Sequence, residues 1–209
     1  MREGASTSEW PVDLRGVTES VVTTLGPKDL WNAAALGLHA EEPVRARTWG
    51  HTRTRRNFER ERAGVVQFTR DPLVFVEAAL GIEEADEPVL DSADAWVAVE
   101  VDRLDSGKSG ETEWVDWRLD PVESGVESTT VPTTNRGYNA VVEATVVASR
   151  LDVPAYDTDV LLDRLEYFET VARRCGGRDE REAFDRLLEL IDRPSAGAVG
   201  DEEGDGDDG

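Results

Sequence analysis

Residues 95–104, AWVAVEVDRL, and residues 112–119, TEWVDWRL, carry a strong strand pattern. Valine and tryptophan alternate with polar residues in both stretches, as in strands that bury one face. The residues between them include Asp105-Ser106-Gly107, a composition typical of a turn. The two stretches therefore predict a long β-hairpin.

The residues before this hairpin predict four more strands and two short helices. Val17–Leu25 is rich in β-branched residues and is followed by Gly26-Pro27, which predicts a strand and a turn. Thr52 and Asp71 are suitable helix caps, and Asp71 is followed by a proline at the first helical position. Further strands are predicted at residues 32–40, 44–49 and 64–69, helices at 52–62 and 71–80, and an acidic loop at 81–88.

The pattern changes after Pro132, where apolar residues recur at helical spacing. Helices are predicted at residues 139–151, 157–174 and 181–192, and Gly176-Gly177 marks the end of the second. About six strands with two inserted helices, followed by three helices, indicate an α+β fold with an antiparallel barrel or sheet. The predicted organisation is a flexible N-terminus (1–15), a barrel (16–134), a helical subdomain (135–193) and a disordered acidic tail (194–209).

The composition indicates a cytoplasmic protein adapted to concentrated salt. The chain has 209 residues and a net charge of −22, from 45 acidic and 23 basic residues, and only two of the basic residues are lysine. An acid-rich, lysine-poor surface stays hydrated at high ionic strength. One cysteine and two histidines offer neither an internal disulfide nor a zinc-like cluster, so no metal is expected. No signal peptide or membrane-spanning segment is predicted.

Arginine is concentrated in residues 45–62, which hold seven of the 21 arginines of the chain. Arginine binds phosphate in a bidentate manner, and a helix N-terminus adds free N–H groups and a favourable dipole. The predicted junction of strand and helix therefore places Thr48, Thr52, Arg53 and Thr54 where they can converge on one phosphate group. Two alternatives are that these arginines only balance nearby carboxylates, and that they bind nucleic acid. The second is disfavoured by the net charge and by salt.

Six segments in order resemble the FMN-binding split barrels of the flavin-reductase type. Within that superfamily the chain is most similar to the archaeal flavoproteins catalogued as domain of unknown function 447. The similarity extends over roughly residues 17–192. The segments that carry it are residues 19–25, 31–37, 52–58, 67–73, 93–96 and 135–144.

This resemblance implies a split barrel that binds FMN non-covalently between the two chains of a homodimer. Asn32, Ala33 and Ala34 would lie along the isoalloxazine ring, with backbone groups serving its polar edge. The phosphate would contact Arg47, Thr48, Thr52, Arg53, Thr54 and Asn57, and Asn135 with Arg136 would approach from the helical part.

The function that follows is that of a flavin-dependent oxidoreductase of unknown substrate, with NAD(P)H or a small molecule as electron donor. No catalytic residue is assigned. The alternative is a non-enzymatic flavin carrier or sensor.

Overall fold

The computed structural model describes residues 8–192 and confirms the predicted α+β split barrel. The expected acidic tail (194–209) and residues 1–7 lie outside the described residues. Residues 8–15 were predicted to be flexible, but Trp10 and Leu14 pack against the barrel core. The strands are β1 (Val17–Leu25), β2 (Trp31–His39), β3 (Arg45–Trp49), β4 (Ala63–Thr69), β5 (Glu83–Ala85), β6 (Ala93–Ser109) and β7 (Thr112–Val126); the helices are α1 (Arg53–Glu61), α2 (Pro72–Leu80), α3 (Arg136–Ala148), α4 (Thr158–Cys175) and α5 (Arg178–Ile191).

Six strands form a closed antiparallel barrel. The hydrogen-bonded order is β1-β4-β6-β7-β3-β2, and pairing of β1 with β2 closes it. The short strand β5 adds to the other side of β2, where Trp31 pairs with Ala85 and Ala33 with Glu83. The first three residues of β2 are consequently paired with both β1 and β5.

The barrel interior is filled by alternate side chains of its strands and is closed at one end by α1. On β2, Leu36 and Leu38 point inward with Ala34 beside them, whereas Ala33 packs outside the barrel against Phe75 and Ala78 of α2. Phe58 of α1 is fully buried and contacts Trp117 edge to face, with ring centroids 5.4 Å apart. The α1 helix is thus fixed to the barrel by its own apolar residue.

The central hairpin is longer than predicted, and its turn lies elsewhere. The segment Asp105-Ser106-Gly107 belongs to β6, and the turn falls at Gly110, which has a φ of +60°. The pairing slips between Ala98 and Val99, where Pro121 of β7 sits opposite Val99. A proline inside a strand is tolerated at such a bulge, because its missing N–H breaks no ladder bond there.

The helices α2, α3, α4 and α5 share a second core. Asp71 caps α2 as predicted, since its side chain accepts hydrogen bonds from Leu73 N and Val74 N. Val76 of α2, Val141 of α3 and Phe184 of α5 meet in this cluster, all of them fully buried. Across residues 8–192, no helix combines the length and apolar character that crossing a membrane requires.

Candidate functional site

The N-terminus of α1 offers unused hydrogen-bond donors. Thr52 caps the helix, and its hydroxyl accepts a hydrogen bond from Arg55 N at 3.2 Å. The backbone N–H groups of Arg53 and Thr54 have no backbone acceptor within residues 8–192. These two groups and the positive end of the helix dipole favour an anion at this position.

The inner face of α1 lies over the end of β1. Asn57 is buried, and its Nδ2 donates to Thr24 Oγ1 at 3.0 Å. Arg60 donates to Asn57 Oδ1 at 3.2 Å. These bonds use both ends of the Asn57 amide, so Asn57 serves to dock α1 on β1.

Asn32 lies between two residues that α1 holds. It pairs with Thr24 of β1 on one side and with Glu84 of β5 on the other. Thr24 receives the bond from Asn57, and Arg53 Nη1 lies 2.7 Å from Glu84 Oε1. Asn32 is therefore placed beside the start of α1.

Two residues at this position are largely buried and have polar side chains without a hydrogen-bond partner. Asn32 and Thr54 expose only 7% and 5% of their surfaces. Neither side chain makes a hydrogen bond to another described residue. Their polar atoms are not fully shielded from solvent, so they stay within reach of a bound molecule, and this unused hydrogen-bonding capacity marks a place where a ligand can bind. We call Asn32, Thr52, Arg53, Thr54 and Asn57 together the α1 site.

The residues expected along a flavin ring lie on two faces of β2. Asn32 and Ala34 share the face toward the barrel interior, while Ala33 faces α2. The backbone of β2 from Trp31 to Ala33 is paired on both sides, so its polar groups are engaged by β1 and β5.

Arg47 and Thr48 are held by partners on opposite sides of β3. Arg47 makes a bidentate bond to Asp116, with distances of 2.6 and 2.8 Å, and its guanidinium lies 4.2 Å from the centroid of the Trp114 ring. The bond from Arg47 lowers the pKa of Asp116. Inside the barrel, Thr48 Oγ1 accepts from Trp117 Nε1 at 2.9 Å. Both side chains thus have structural partners already.

Most arginines of residues 45–62 are paired with carboxylates. Six of the seven have an acidic partner within 4.0 Å, whereas Arg56 has none in the described part of the chain. This arrangement is what the charge-balancing alternative predicts. It also leaves few free cations for a nucleic acid backbone.

Asn135 and Arg136 lie away from the α1 site of the same chain. Asn135 caps α3 and donates to Glu180 Oε1 at 3.0 Å, and Arg136 is exposed. Two residues later, the Tyr138 hydroxyl lies 3.5 Å from the carbonyl oxygen of Thr69. Thr69 lies toward the start of β1, because Val21 pairs with Gln67, whereas the α1 site lies at the end of β1, where Asn57 bonds to Thr24. About five residues of strand, or roughly 15 Å, separate the two places.

A cavity of about 340 Å³ lies on the outer face of β2, which we call the β5 cavity. Its walls come from β2, α2, β5 and residues 90–92, and they are mostly apolar. Ser92 contributes to the wall, and its hydroxyl is the one buried side-chain polar atom of residues 8–192 without a hydrogen-bond partner. The sequence gives no signal for this cavity, because β5 was predicted as part of an acidic loop.

Two carboxyl groups of the cavity wall share a hydrogen bond. Burial and this bond to Glu77 raise the pKa of Glu83. Glu77 is itself held by Arg186 of α5 through two hydrogen bonds. Within residues 8–192, the cavity included, no three His, Cys, Asp or Glu side chains are grouped as metal ligands.

Comparison with known proteins assigns the family. Residues 18–128 match the model described as protein of unknown function (DUF447), N-terminal domain, and residues 135–189 match protein of unknown function (DUF447). An FMN-bound DUF447 protein from Methanosarcina mazei is 27% identical, with a TM-score of 0.72 over 85% of this chain and 96% of that one.

More distant similarities include two flavin proteins, and these contribute nothing further to the assignment. The flavin reductase of a styrene monooxygenase from Pseudomonas putida is 12% identical over 56% of this chain and 93% of its own, with a TM-score of 0.40. An FMN-binding protein from Thermus thermophilus is 17% identical over 65% and 88%, also at 0.40. On the strength of the two family matches, this chain belongs to the DUF447 family.

Proposed function

We propose that this chain is an FMN-binding flavoprotein and that the α1 site holds the phosphate end of the cofactor. The proposal is carried by the start of α1, where two free backbone N–H groups lie near the polar side chains of Asn32 and Thr54, which make no hydrogen bond to a described residue. The FMN-bound state of the Methanosarcina mazei protein supports it, because the similarity covers most of both chains.

The donor set fits a phosphate monoester. Arg53 supplies a charged fork, and the N–H groups of Arg53 and Thr54 point along the helix axis toward the anion. Glu84 competes for Arg53 in the ligand-free chain. When phosphate binds, Arg53 would therefore exchange the Glu84 carboxylate for an anion of higher charge.

The ring end would begin at Asn32 and Ala34, where the Asn32 amide is free to meet a polar edge of the flavin. Bound FMN supplies hydride or electron transfer, while the protein binds and orients it. Asn135 and Arg136 would reach the cofactor from a second copy of the chain, because in their own chain α3 begins near Thr69, roughly 15 Å along the sheet from the α1 site. The site is therefore complete only in a homodimer.

Arg53→Ala tests the phosphate assignment. The substitution should lower the affinity for FMN by about one to two decades, the loss typical of a charged hydrogen bond. The affinity for riboflavin should stay nearly unchanged. Glu84→Gln should raise the affinity for FMN by up to about fivefold, because the carboxylate that competes with the phosphate for Arg53 is removed. Dissociation constants follow from quenching of flavin fluorescence.

Arg56→Ala is the matched control, because Arg56 lies on the same helix without an ion pair to any described residue. It should leave both affinities within about twofold of the unmodified chain. If Arg53→Ala lowered the affinities for FMN and riboflavin equally, the phosphate would have to bind away from Arg53.

We further propose that the holoprotein is a flavin-dependent oxidoreductase. Anaerobic addition of NADH or NADPH should bleach the bound flavin. A flavin that stays oxidised with both donors, yet binds tightly, would favour the carrier or sensor role instead.

A further inference from the structure

The β5 cavity has the size and lining of a small-molecule site. Its volume of about 340 Å³ falls in the lower part of the range of ligand pockets, which is ~300–1,000 Å³. Leu73, Val74 and Ala78 of α2 form one wall, and Leu90 contributes to another. Such walls favour a compact, largely apolar ligand.

The wall also holds an unused hydrogen-bonding group. The Ser92 hydroxyl is shielded from solvent and bonds to no other described residue, although the backbone carbonyl of Ser92 accepts from Thr69 Oγ1 at 2.9 Å. Serine has one side-chain torsion with three staggered positions, so this hydroxyl can turn without backbone movement. A ligand oxygen can supply the missing partner.

The charges around the cavity oppose anions. Its lining includes Glu77, Glu83, Glu84 and Asp91, and all eleven lining residues are described, with no lysine or arginine among them. The guanidinium groups of Arg53 and Arg186 pair with the lining carboxylates Glu84 and Glu77 and are thereby already engaged. A phosphate-bearing molecule is therefore disfavoured here, in contrast to the α1 site.

The cavity and the α1 site lie on opposite faces of β2. Ala33 lines the cavity, whereas Asn32 and Ala34 face the barrel interior. Since the paired backbone of β2 stands between them, a molecule in the cavity need not displace one at the α1 site.

We propose that the β5 cavity is a second ligand site, which takes a small, neutral, largely apolar molecule with one hydrogen-bonding oxygen that meets Ser92. This proposal does not rest on FMN binding, although the Arg53–Glu84 ion pair joins a residue of the α1 site to a residue of the cavity wall. Its failure would leave the α1 site intact, and the reverse also holds.

Titration calorimetry of the full chain with three probes of similar size tests the chemistry. Acetophenone is neutral and carries one carbonyl, ethylbenzene lacks the oxygen, and benzoate carries a negative charge. Acetophenone should bind about two- to tenfold more tightly than ethylbenzene, the difference expected for one neutral hydrogen bond. Benzoate should bind more weakly than either.

Two variants locate the site. Ser92→Ala should lower acetophenone affinity about two- to tenfold without changing that of ethylbenzene. Ala85→Leu should abolish binding of both by filling the cavity, and its unfolding midpoint verifies that the barrel remains folded. Ser109→Ala, at an exposed position in β6, is the control and should change nothing.

Saturating FMN should leave the affinity for acetophenone within about twofold of its value without FMN. Displacement by FMN would overturn the proposal of a separate site. No binding of acetophenone at millimolar concentration, equal affinity for benzoate, or an unchanged affinity in Ser92→Ala would each overturn the proposed ligand chemistry.

Discussion

At the scale of single residues, the carboxyl of Glu83 links folding to pH. Burial and the hydrogen bond to Glu77 raise its pKa from an ordinary value of 4.5. Below that value the group is protonated in both folded and unfolded chains. As the pH rises through the raised pKa, the folded chain must give up a proton that it held favourably, and the stabilisation is lost.

Glu83→Gln should therefore stabilise the chain toward neutral pH. Glutamine keeps a hydrogen-bond donor for Glu77 and carries no charge. The gain over the unmodified chain should appear above pH 4.5 and level off beyond the folded pKa, at no more than about 1 kcal/mol because solvent screens the pair. Urea unfolding at several pH values measures it.

Glu123→Gln provides the comparison, because Glu123 is exposed on β7 and forms no ion pair with any described residue. It should show a nearly constant, small difference over the same pH range. A constant difference for Glu83→Gln as well would show that the bond to Glu77 does not matter for folding.

The local sequence predicted the helix cap of the α1 site but not the long-range contacts of its other residues. Thr52 was recognisable as a cap because capping depends on the next three residues alone. The bond from Asn57 to Thr24 joins positions 33 apart in sequence, and the partner of Arg53 on β5 lies 31 residues away. Such pairings depend on how strands meet, which local patterns do not encode.

At the scale of elements, local sequence patterns predicted which helices and strands exist better than they predicted where each one ends. The strand Val17–Leu25 and the start of α2 at Pro72 agree with the structure. The hairpin extends further because backbone pairing continues through the exposed polar residues from Asp102 to Ser109. β5 was missed because its sequence, Glu-Glu-Ala, has no strand propensity and is ordered by pairing with β2.

The contact between α3 and the end of α4 depends on the absence of a side chain at Gly137. A Cβ atom there would lie 2.3 Å from Gly176 Cα and 2.4 Å from Gly176 N, which are backbone atoms that cannot move alone. Gly137→Ala should thus destabilise the chain by at least the 1–3 kcal/mol typical of overpacking (about a few degrees in the unfolding midpoint).

Asn139→Ala is the control for Gly137→Ala, because Asn139 is exposed on the same helix. It should leave the midpoint nearly unchanged in thermal unfolding followed by circular dichroism. An unchanged midpoint for Gly137→Ala would mean that the two helix ends separate without cost.

At the scale of the whole molecule, two cores are joined through α2. Val76 of α2 belongs to the helical core, whereas Phe75 and Ala78 pack on Val21 and Ala33 of the barrel. Arg186 of α5 reaches Glu77 of the same helix. The helical part is therefore positioned relative to the barrel by α2, so the place of Asn135 and Arg136 at the start of α3 is fixed relative to the barrel.

Net charge sets a further expectation for the whole chain. With a net charge of −22, the excess carboxylates of the folded chain repel one another. Salt shortens the distance over which this repulsion acts from ~10 Å at 0.1 M to ~3 Å at 1 M. Salt also weakens ion pairs, but those of Arg53, Arg60 and Arg62 are largely exposed, and each such pair contributes only about 0–1 kcal/mol. Repulsion should dominate, so the unfolding midpoint should rise by several degrees between 0.1 and 1 M KCl, as ~1 kcal/mol shifts it by ~2–4 °C.

Screening depends on ionic strength and not on the identity of the cation, so NaCl at equal concentration should produce the same rise. At pH 5, nearer the isoelectric point of about 4.4, the net charge is smaller and the rise should shrink. A midpoint that falls with salt would show that ion pairs outweigh net repulsion. A rise in KCl alone would require specific potassium binding in place of screening.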